Sequence, residues 1–103
     1  MNRLEFLNCI KYNCDAKLTD LMTNFFNQYM LLYNLVDTIE SVSVVATYEN
    51  GIVFQLSYSN DIDANRLSEK LLQLPFVDIY EKRYNVSFSK NGNTLTITIN
   101  SIF

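Results

Sequence analysis

The strongest hydrophobic pattern in the chain lies between Leu18 and Ile39. Apolar residues recur there in steps of three and four, which is the spacing of one face of an α-helix. Residues 1–50 contain neither Gly nor Pro, so no residue of this segment interrupts a helix. We predict a main helix over residues 16–39, with a β-sheet covering its apolar face. That face consists of Leu18, Met22, Phe25, Tyr29, Leu32, Val36 and Ile39.

Residues 1–14 carry a shorter apolar pattern at Leu4, Leu7 and Ile10, which is out of phase with the main helix. Two arrangements fit this change of phase. The segment either forms a separate short N-terminal helix or begins one long helix whose buried face rotates. Asn13 and Asp15 are both good N-cap residues, which favours a break before the main helix.

Residues 42–59 alternate between apolar and polar positions, which predicts a β-hairpin. Placing both apolar sets on one face requires Tyr48 opposite Ile52, because a slip of one residue would turn a whole strand over. The loop is then residues 49–51, with Gly51 in the left-handed conformation of a bulge-type turn. The two apolar sets are Val42, Val44, Ala46 and Tyr48, and Ile52, Phe54, Leu56 and Tyr58.

A second helix is predicted over residues 61–74. Asn60 or Asp61 is suited to cap it, and Pro75 is expected to end it. Its apolar stripe consists of Ala64, Leu67, Leu71 and Leu74.

Residues 77–102 are predicted to form a second hairpin, preceded by a separate strand or by a bend at residues 81–83. Here a two-residue turn at Asn91 and Gly92 matches the alternation on both sides. The expected register pairs Phe88 with Leu95, Val86 with Ile97 and Tyr84 with Ile99.

These elements together predict one α+β domain spanning residues 1–103. An antiparallel sheet of four or five strands, built from two hairpins, would pack on one long and one shorter helix in the order αββ-αββ.

The last strand carries the sharpest hint of a partner. No charged residue and no Pro occur in residues 92–103, and an exposed edge of that composition would invite pairing with another chain. The strand is therefore either central in its sheet, which we favour, or paired with a partner. Charged residues at the end of the main helix could also face a partner. The candidate contact residues are Thr96, Thr98, Asn100, Phe103, Asp37 and Glu40.

The sequence offers no convincing catalytic group. It contains no His, and its only two glycines lie in the predicted hairpin turns, so we expect no His-based catalysis, no metal and no cofactor. Asp61 and Asp63 fit capping and first-turn roles better than an acid–base pair. We therefore expect that the chain is not an enzyme.

The net charge and the cysteines limit the possible classes of partner and the expected cellular compartment. The net charge of −3 argues against nucleic acid, and the basic residues near Lys82 and Arg83 are too few for such a surface. The two cysteines fit neither a redox motif nor a zinc pair, so we expect reduced thiols and a cytoplasmic location. The most apolar run, residues 29–35, is too short to span a bilayer.

The resulting hypothesis is a non-catalytic protein-interaction module, such as a small inhibitor, immunity protein or accessory protein that binds a larger protein. The abundance of Asn and the absence of Trp suggest an AT-biased coding sequence of a bacterium or one of its mobile elements, and the hypothesis places the module in a phage or mobile element. The alternative is a homo-oligomeric structural or chaperone-like subunit, such as a homodimer.

Overall fold

A computed structural model of the chain describes residues 1–30, 34–79 and 81–102. It confirms the α+β class with a five-stranded antiparallel sheet in the order β1-β2-β5-β4-β3 and three α-helices. In chain order the elements are α1 (Arg3–Lys11), α2 (Ala16–Phe25), β1 (Ile39–Tyr48), β2 (Gly51–Tyr58), α3 (Asp61–Gln73), β3 (Phe76–Ile79), β4 (Lys82–Asn91) and β5 (Thr94–Ser101).

The N-terminal segment breaks into two helices at the change of apolar phase. Helix α1 ends at Lys11, and Asp15 caps α2 by accepting a hydrogen bond from the backbone N–H of Leu18 over 2.9 Å. The helical conformation continues past α2 as one π-helical turn, Phe26–Met30.

The expectation that the main helix reaches Ile39 is corrected. Asn34 has a left-handed backbone with φ of 54°, and Ile39 is the first residue of β1. Asn adopts this conformation at lower cost than most residues. Leu35, Val36 and Ile39 are nevertheless buried, so their apolar spacing reflects burial in a turn and a strand rather than helix. Leu32 and Tyr33, also assigned to the helix, lie outside the described residues.

The first hairpin has a different register from the one expected. Tyr48 pairs with Gly51 across a two-residue turn, rather than with Ile52 across three residues. A β-bulge at Val45 compensates for the shorter turn. The apolar residues Val44 and Phe54 therefore lie opposite each other. As a result Tyr48 is exposed instead of buried.

The second hairpin turns one residue later than expected, which shifts its pairing by two positions. Its turn residues are Gly92 and Asn93, so Phe88 pairs with Ile97 rather than with Leu95. Gly92 has φ of 63°, which suits this turn. Because the pairing shifts by an even number of positions, the inward side chains remain inward.

The core lies between the helices and one face of the sheet. The ring of Phe25 lies 5.5 Å from that of Phe54 in an edge-on arrangement and 5.1 Å from that of Tyr29. The other face is open and carries mostly Ser, Thr and Asn side chains, as expected for a half-solvated antiparallel sheet. From the remaining helix, buried Ala64, Leu67 and Leu71 complete the core, whereas Leu74 of the predicted stripe is exposed.

Candidate functional site: an exposed apolar corner

Strand β5 is central in the sheet. It pairs with β2 along one edge and with β4 along the other, so its backbone is not available to another chain. The absence of charge in this strand is explained by its position between two neighbours. The favoured expectation of a central last strand is therefore confirmed, and the alternative of an edge strand paired with a partner is not what the structure shows.

The candidate contact residues do not form one surface. Thr96 and Thr98 are half-buried on the open face, and Asn100 is exposed at the end of β5 beside Gly51. Asp37 and Glu40 are exposed at the start of β1, at the opposite end of the sheet. Phe103 lies outside the described residues.

A different surface concentrates exposed apolar side chains. We call it the α3–β3 corner and define it as Leu72, Leu74, Pro75 and Phe76. Leu72, Leu74 and Phe76 are 72%, 49% and 40% exposed. Leu72 follows the buried Leu71, and one residue turns the side chain by about 100° around a helix, out of the core.

Buried hydrogen bonds hold the corner in place. The hydroxyl of Tyr29, which is buried under the corner, donates to the backbone carbonyl oxygens of Leu74 and Phe76, the latter over 2.9 Å. The backbone N–H of Val86 donates to the carbonyl oxygen of Pro75 over 2.7 Å. The exposed side chains therefore lie on a backbone that is tied to both the helix layer and the sheet.

Two clefts flank Pro75. The first, which we call the apolar groove, has a volume of about 310 Å³ and is lined by Leu71, Leu72, Pro75, Val86, Ser87 and Phe88. The second, which we call the polar cleft, has a volume of about 300 Å³ and is lined by Gln28, Leu74, Pro75, Phe76, Asp78 and Arg83.

The polar cleft contains an ion pair stacked on an aromatic ring. Arg83 Nε lies 3.0 Å from Asp78 Oδ1, and its guanidinium carbon lies 5.4 Å from the centre of the Phe76 ring. The hydrogen bond from Arg83 lowers the pKa of Asp78 below its ordinary value. Both side chains are more than half exposed, so water screens the pair and its contribution to stability is small. The ion pair holds the guanidinium of Arg83 over the ring of Phe76.

Two buried phenols are the most perturbed titratable groups of the described part of the chain. Burial, and secondarily the charge of Asp78, raise the pKa of Tyr29 to about 12. Burial, and secondarily the charge of Asp63, raise the pKa of Tyr58 further. The Tyr58 hydroxyl is buried without a hydrogen-bond partner among the described residues. Both groups hold their protons at neutral pH, which suits packing rather than proton transfer.

These phenols predict a loss of stability at alkaline pH. An unfolded tyrosine ionises near pH 10, whereas folded Tyr29 and Tyr58 keep their protons to higher pH. Above about pH 10 the unfolded chain binds fewer protons than the folded chain, so the free energy of unfolding falls as pH rises. Urea unfolding at several pH values, with phenolate absorbance of the folded protein, measures both effects.

Two tyrosine variants test the assignment of this alkaline effect. Tyr29→Phe is expected to remove one late-ionising phenol, and Tyr12→Phe, which changes an exposed tyrosine, serves as the control. Ionisation of all seven tyrosines of the folded protein together near pH 10 would contradict the prediction.

The structure gives Cys14 a partly buried position and Asp63 a place in hydrogen bonds of the helix start. Burial, and secondarily Asp15, raise the pKa of the Cys14 thiol, which disfavours the nucleophilic thiolate. Asp63 accepts a hydrogen bond from the Thr38 hydroxyl, and its backbone N–H donates to the capping Asn60. Across 1–30, 34–79 and 81–102, no three His, Cys, Asp or Glu residues are placed to share a metal ion.

Sequence reasoning missed the α3–β3 corner, although a signal was present. Residues 71–76 read Leu-Leu-Gln-Leu-Pro-Phe, which is more apolar than one helix face can bury. The surplus of apolar residues at the end of a helix indicated an exposed patch, whereas the prediction assigned Leu74 to the core.

The fold and the corner together define a small α+β domain with one open sheet face and an apolar surface at one edge. The chain matches no protein-family model, no curated protein and no solved structure. In the described ranges, no helix combines the length and hydrophobicity needed to cross a membrane.

Proposed function

We propose that this chain is a non-catalytic protein-interaction module, such as a small inhibitor, immunity protein or accessory protein of a phage or mobile element. It would act by binding a larger protein. The observation that carries the proposal is the α3–β3 corner, where Leu72, Leu74 and Phe76, three apolar residues within a run of five, are exposed.

The arrangement of this corner supports protein binding more than incidental exposure. Single exposed apolar side chains, such as those of Leu4 and Ile62, are normal on soluble proteins. Several exposed within one short segment beside a groove are more typical of the anchor region of an interface. Arg83 and Phe76 at its rim belong to residue types that are enriched in interfaces.

The alternative is a homo-oligomeric structural or chaperone-like subunit, and the outer edge of β1 favours it. This strand is ten residues long, has no neighbour beyond it among the described strands and exposes Val45 and Tyr48. However, β1 is bulged at Glu40 and at Val45. Bulges twist an edge strand away from regular pairing, so we rank this alternative second.

The proposal is tested by recovering and reconstituting a complex. We expect the purified chain alone to scatter light as a monomer of 12.0 kDa over a range of concentrations. We expect the tagged chain, cross-linked in its native cell, to retain one larger protein, which then forms a complex of defined stoichiometry from purified components.

Two results would reject the proposal. A persistent dimer of the purified chain would favour the homo-oligomer. If the chain is a monomer and forms no complex with any purified candidate partner, the interaction-module proposal is rejected as well. In the supporting case, Leu72→Lys is expected to weaken the complex, and Ile62→Lys, which changes an equally exposed residue of the same helix, serves as the matched control.

A further inference from the structure

Strand β3 covers only part of the outer edge of β4. The ladder between them runs from Asn85 opposite Phe76 to Lys82 opposite Ile79, whereas β4 continues to Asn91. Beyond the bond from Val86 to Pro75, no backbone hydrogen bond within the described ranges joins this side of Ser87–Asn91 to another segment. Half of β4 is therefore an open edge.

The direction of the backbone groups identifies which of them are free. The N–H of Val86 donates to Pro75, on the β3 side, and the carbonyl oxygen of Arg83 accepts from Ile102, on the β5 side. Successive residues of an antiparallel strand direct their backbone groups to opposite edges. The N–H and C=O groups of Phe88 and Lys90 therefore point outward, where the described chain offers no partner.

The apolar groove lies beside this open edge. The inward side chains of Val86 and Phe88 form its wall on the sheet, and Leu71 and Leu72 form its wall on the helix. None of its lining residues is charged, and its volume of about 310 Å³ accommodates an aliphatic or aromatic side chain. Free backbone groups beside a side-chain pocket are the two parts of a site that binds an extended peptide as an added strand.

We propose that an extended segment of a partner protein docks against the outer edge of β4, in line with β3, and inserts an apolar side chain into the apolar groove. This inference rests on the proposed function and specifies its binding mode. Lys90 is the single charged residue of the open edge and is exposed. A segment that carries a carboxylate one or two positions from its apolar anchor would complement it.

A second copy of the chain is a poorer occupant of this edge. The long exposed edge of a second copy is β1, and its pairing with β4 would join two different surfaces. Such a head-to-tail contact generates open filaments unless the rotation closes a ring. The bulges at Glu40 and Val45 also interrupt the regular backbone that pairing requires.

The experiment uses displayed random peptides long enough to span Val86–Asn91, selected on the immobilised full chain. We expect enriched peptides that alternate in polarity and contain an apolar anchor and an acidic residue. On binding of a synthetic enriched peptide, the amides of Phe88 and Lys90 should gain protection from hydrogen exchange. The protection of the Ser87 and Ser89 amides, which face β5, should not change.

Three variants of the chain separate the backbone from the groove. Lys90→Pro removes one outward N–H, together with the charge of Lys90, without removing a bond to β5, and Leu72→Lys places a charge at the groove. Each variant is expected to lower the affinity for the peptide roughly tenfold or more, since each removes a hydrogen bond or an apolar contact. Ile62→Lys, on the same helix but outside the groove, should leave the affinity unchanged. If Lys90→Pro fails to fold, Leu72→Lys and the exchange pattern decide the test.

Several outcomes would overturn the proposal. These are the absence of any enriched peptide, peptides that leave the Phe88 and Lys90 amides unprotected, and equal loss of binding in Ile62→Lys. Self-association relieved by Lys90→Pro would assign the edge to a second copy instead. A purified partner that binds Lys90→Pro as tightly as the native chain, but binds Leu72→Lys more weakly, would reject the edge and leave the proposed function intact.

Discussion

Replacement of Phe54 by alanine is expected to lower the free energy of unfolding by about 3–5 kcal/mol. Phe54 is fully buried in β2, pairs across the sheet with Val44 and Ile97, and contacts the ring of Phe25. Its removal opens a cavity where the helix layer meets the sheet, and fixed strands on both sides limit its collapse. Urea unfolding followed by circular dichroism measures the loss.

The neighbouring residue provides the control for this substitution. Gln55 lies on the open face and is exposed, so Gln55→Ala is expected to change the free energy of unfolding by no more than about 0.5 kcal/mol. A domain of this size is stable by only roughly 5–15 kcal/mol, so Phe54→Ala should leave a visibly weakened fold. Equal effects of the two substitutions would show that β2 does not face the helices as described.

Except at the end of β1 beyond its bulge, where Tyr48 is exposed, the inward faces of the strands could be predicted because they depend only on alternation. Leu56, Leu95 and Ile97 are buried as their positions in the pattern require. The central position of β5 is predictable for a related reason, since a charge-free strand needs neighbours on both edges. These features follow from where apolar side chains must go, which the sequence records directly.

The strand registers could not be predicted from alternation in the same way. A shift by two positions keeps every side chain on its face, so hydrophobic phase does not separate the observed pairing of Phe88 with Ile97 from the expected one. In the first hairpin, the bulge at Val45 corrects the phase within the strand, whereas the prediction required the loop to correct it. Turn length and bulges depend on contacts with the rest of the sheet.

The candidate site was harder to predict than the fold. The contact residues were inferred from the charge-free last strand and from the charges at the end of the main helix, and the sheet places Asn100 and Glu40 at opposite ends. The α3–β3 corner depends on how far α3 extends over β4 and where β3 begins, which are tertiary facts. The sequence shows a surplus of apolar residues around Pro75, but it does not show where in the fold these residues lie.

The role of Gly51 changes for a similar reason, and it leads to a large expected effect. The sequence predicted a left-handed turn residue, but the structure records positive φ for Gly92 and not for Gly51. Instead, a Cβ at Gly51 would overlap the carbonyl oxygen of Ile99 and the side chain of Asn100, with Asn100 Cα only 3.1 Å away. Gly51 is required because the β5 backbone passes so close to it.

Gly51→Ala is therefore expected to destabilise the protein by about 1–3 kcal/mol, in the range of overpacked cores. Asn100 could rotate away from the added methyl group, but the carbonyl oxygen of Ile99 belongs to a central strand that pairs on both edges. The methyl group must therefore push β2 and β5 apart at the end of their ladder. Thermal or urea unfolding measures the loss.

The matched control is Gly92→Asn in the second hairpin turn. Gly92 has φ of 63°, and the space that a Cβ would occupy there is open, so its constraint is conformational rather than steric. Asn tolerates the left-handed region, and we expect this change to cost less than about 1 kcal/mol. If Gly51→Ala were as well tolerated as Gly92→Asn, the close approach of β5 to Gly51 would be wrong. The two hairpins are joined into one sheet by the ladder between β2 and β5. The register of that ladder, which places Gly51 opposite Asn100, would then need revision.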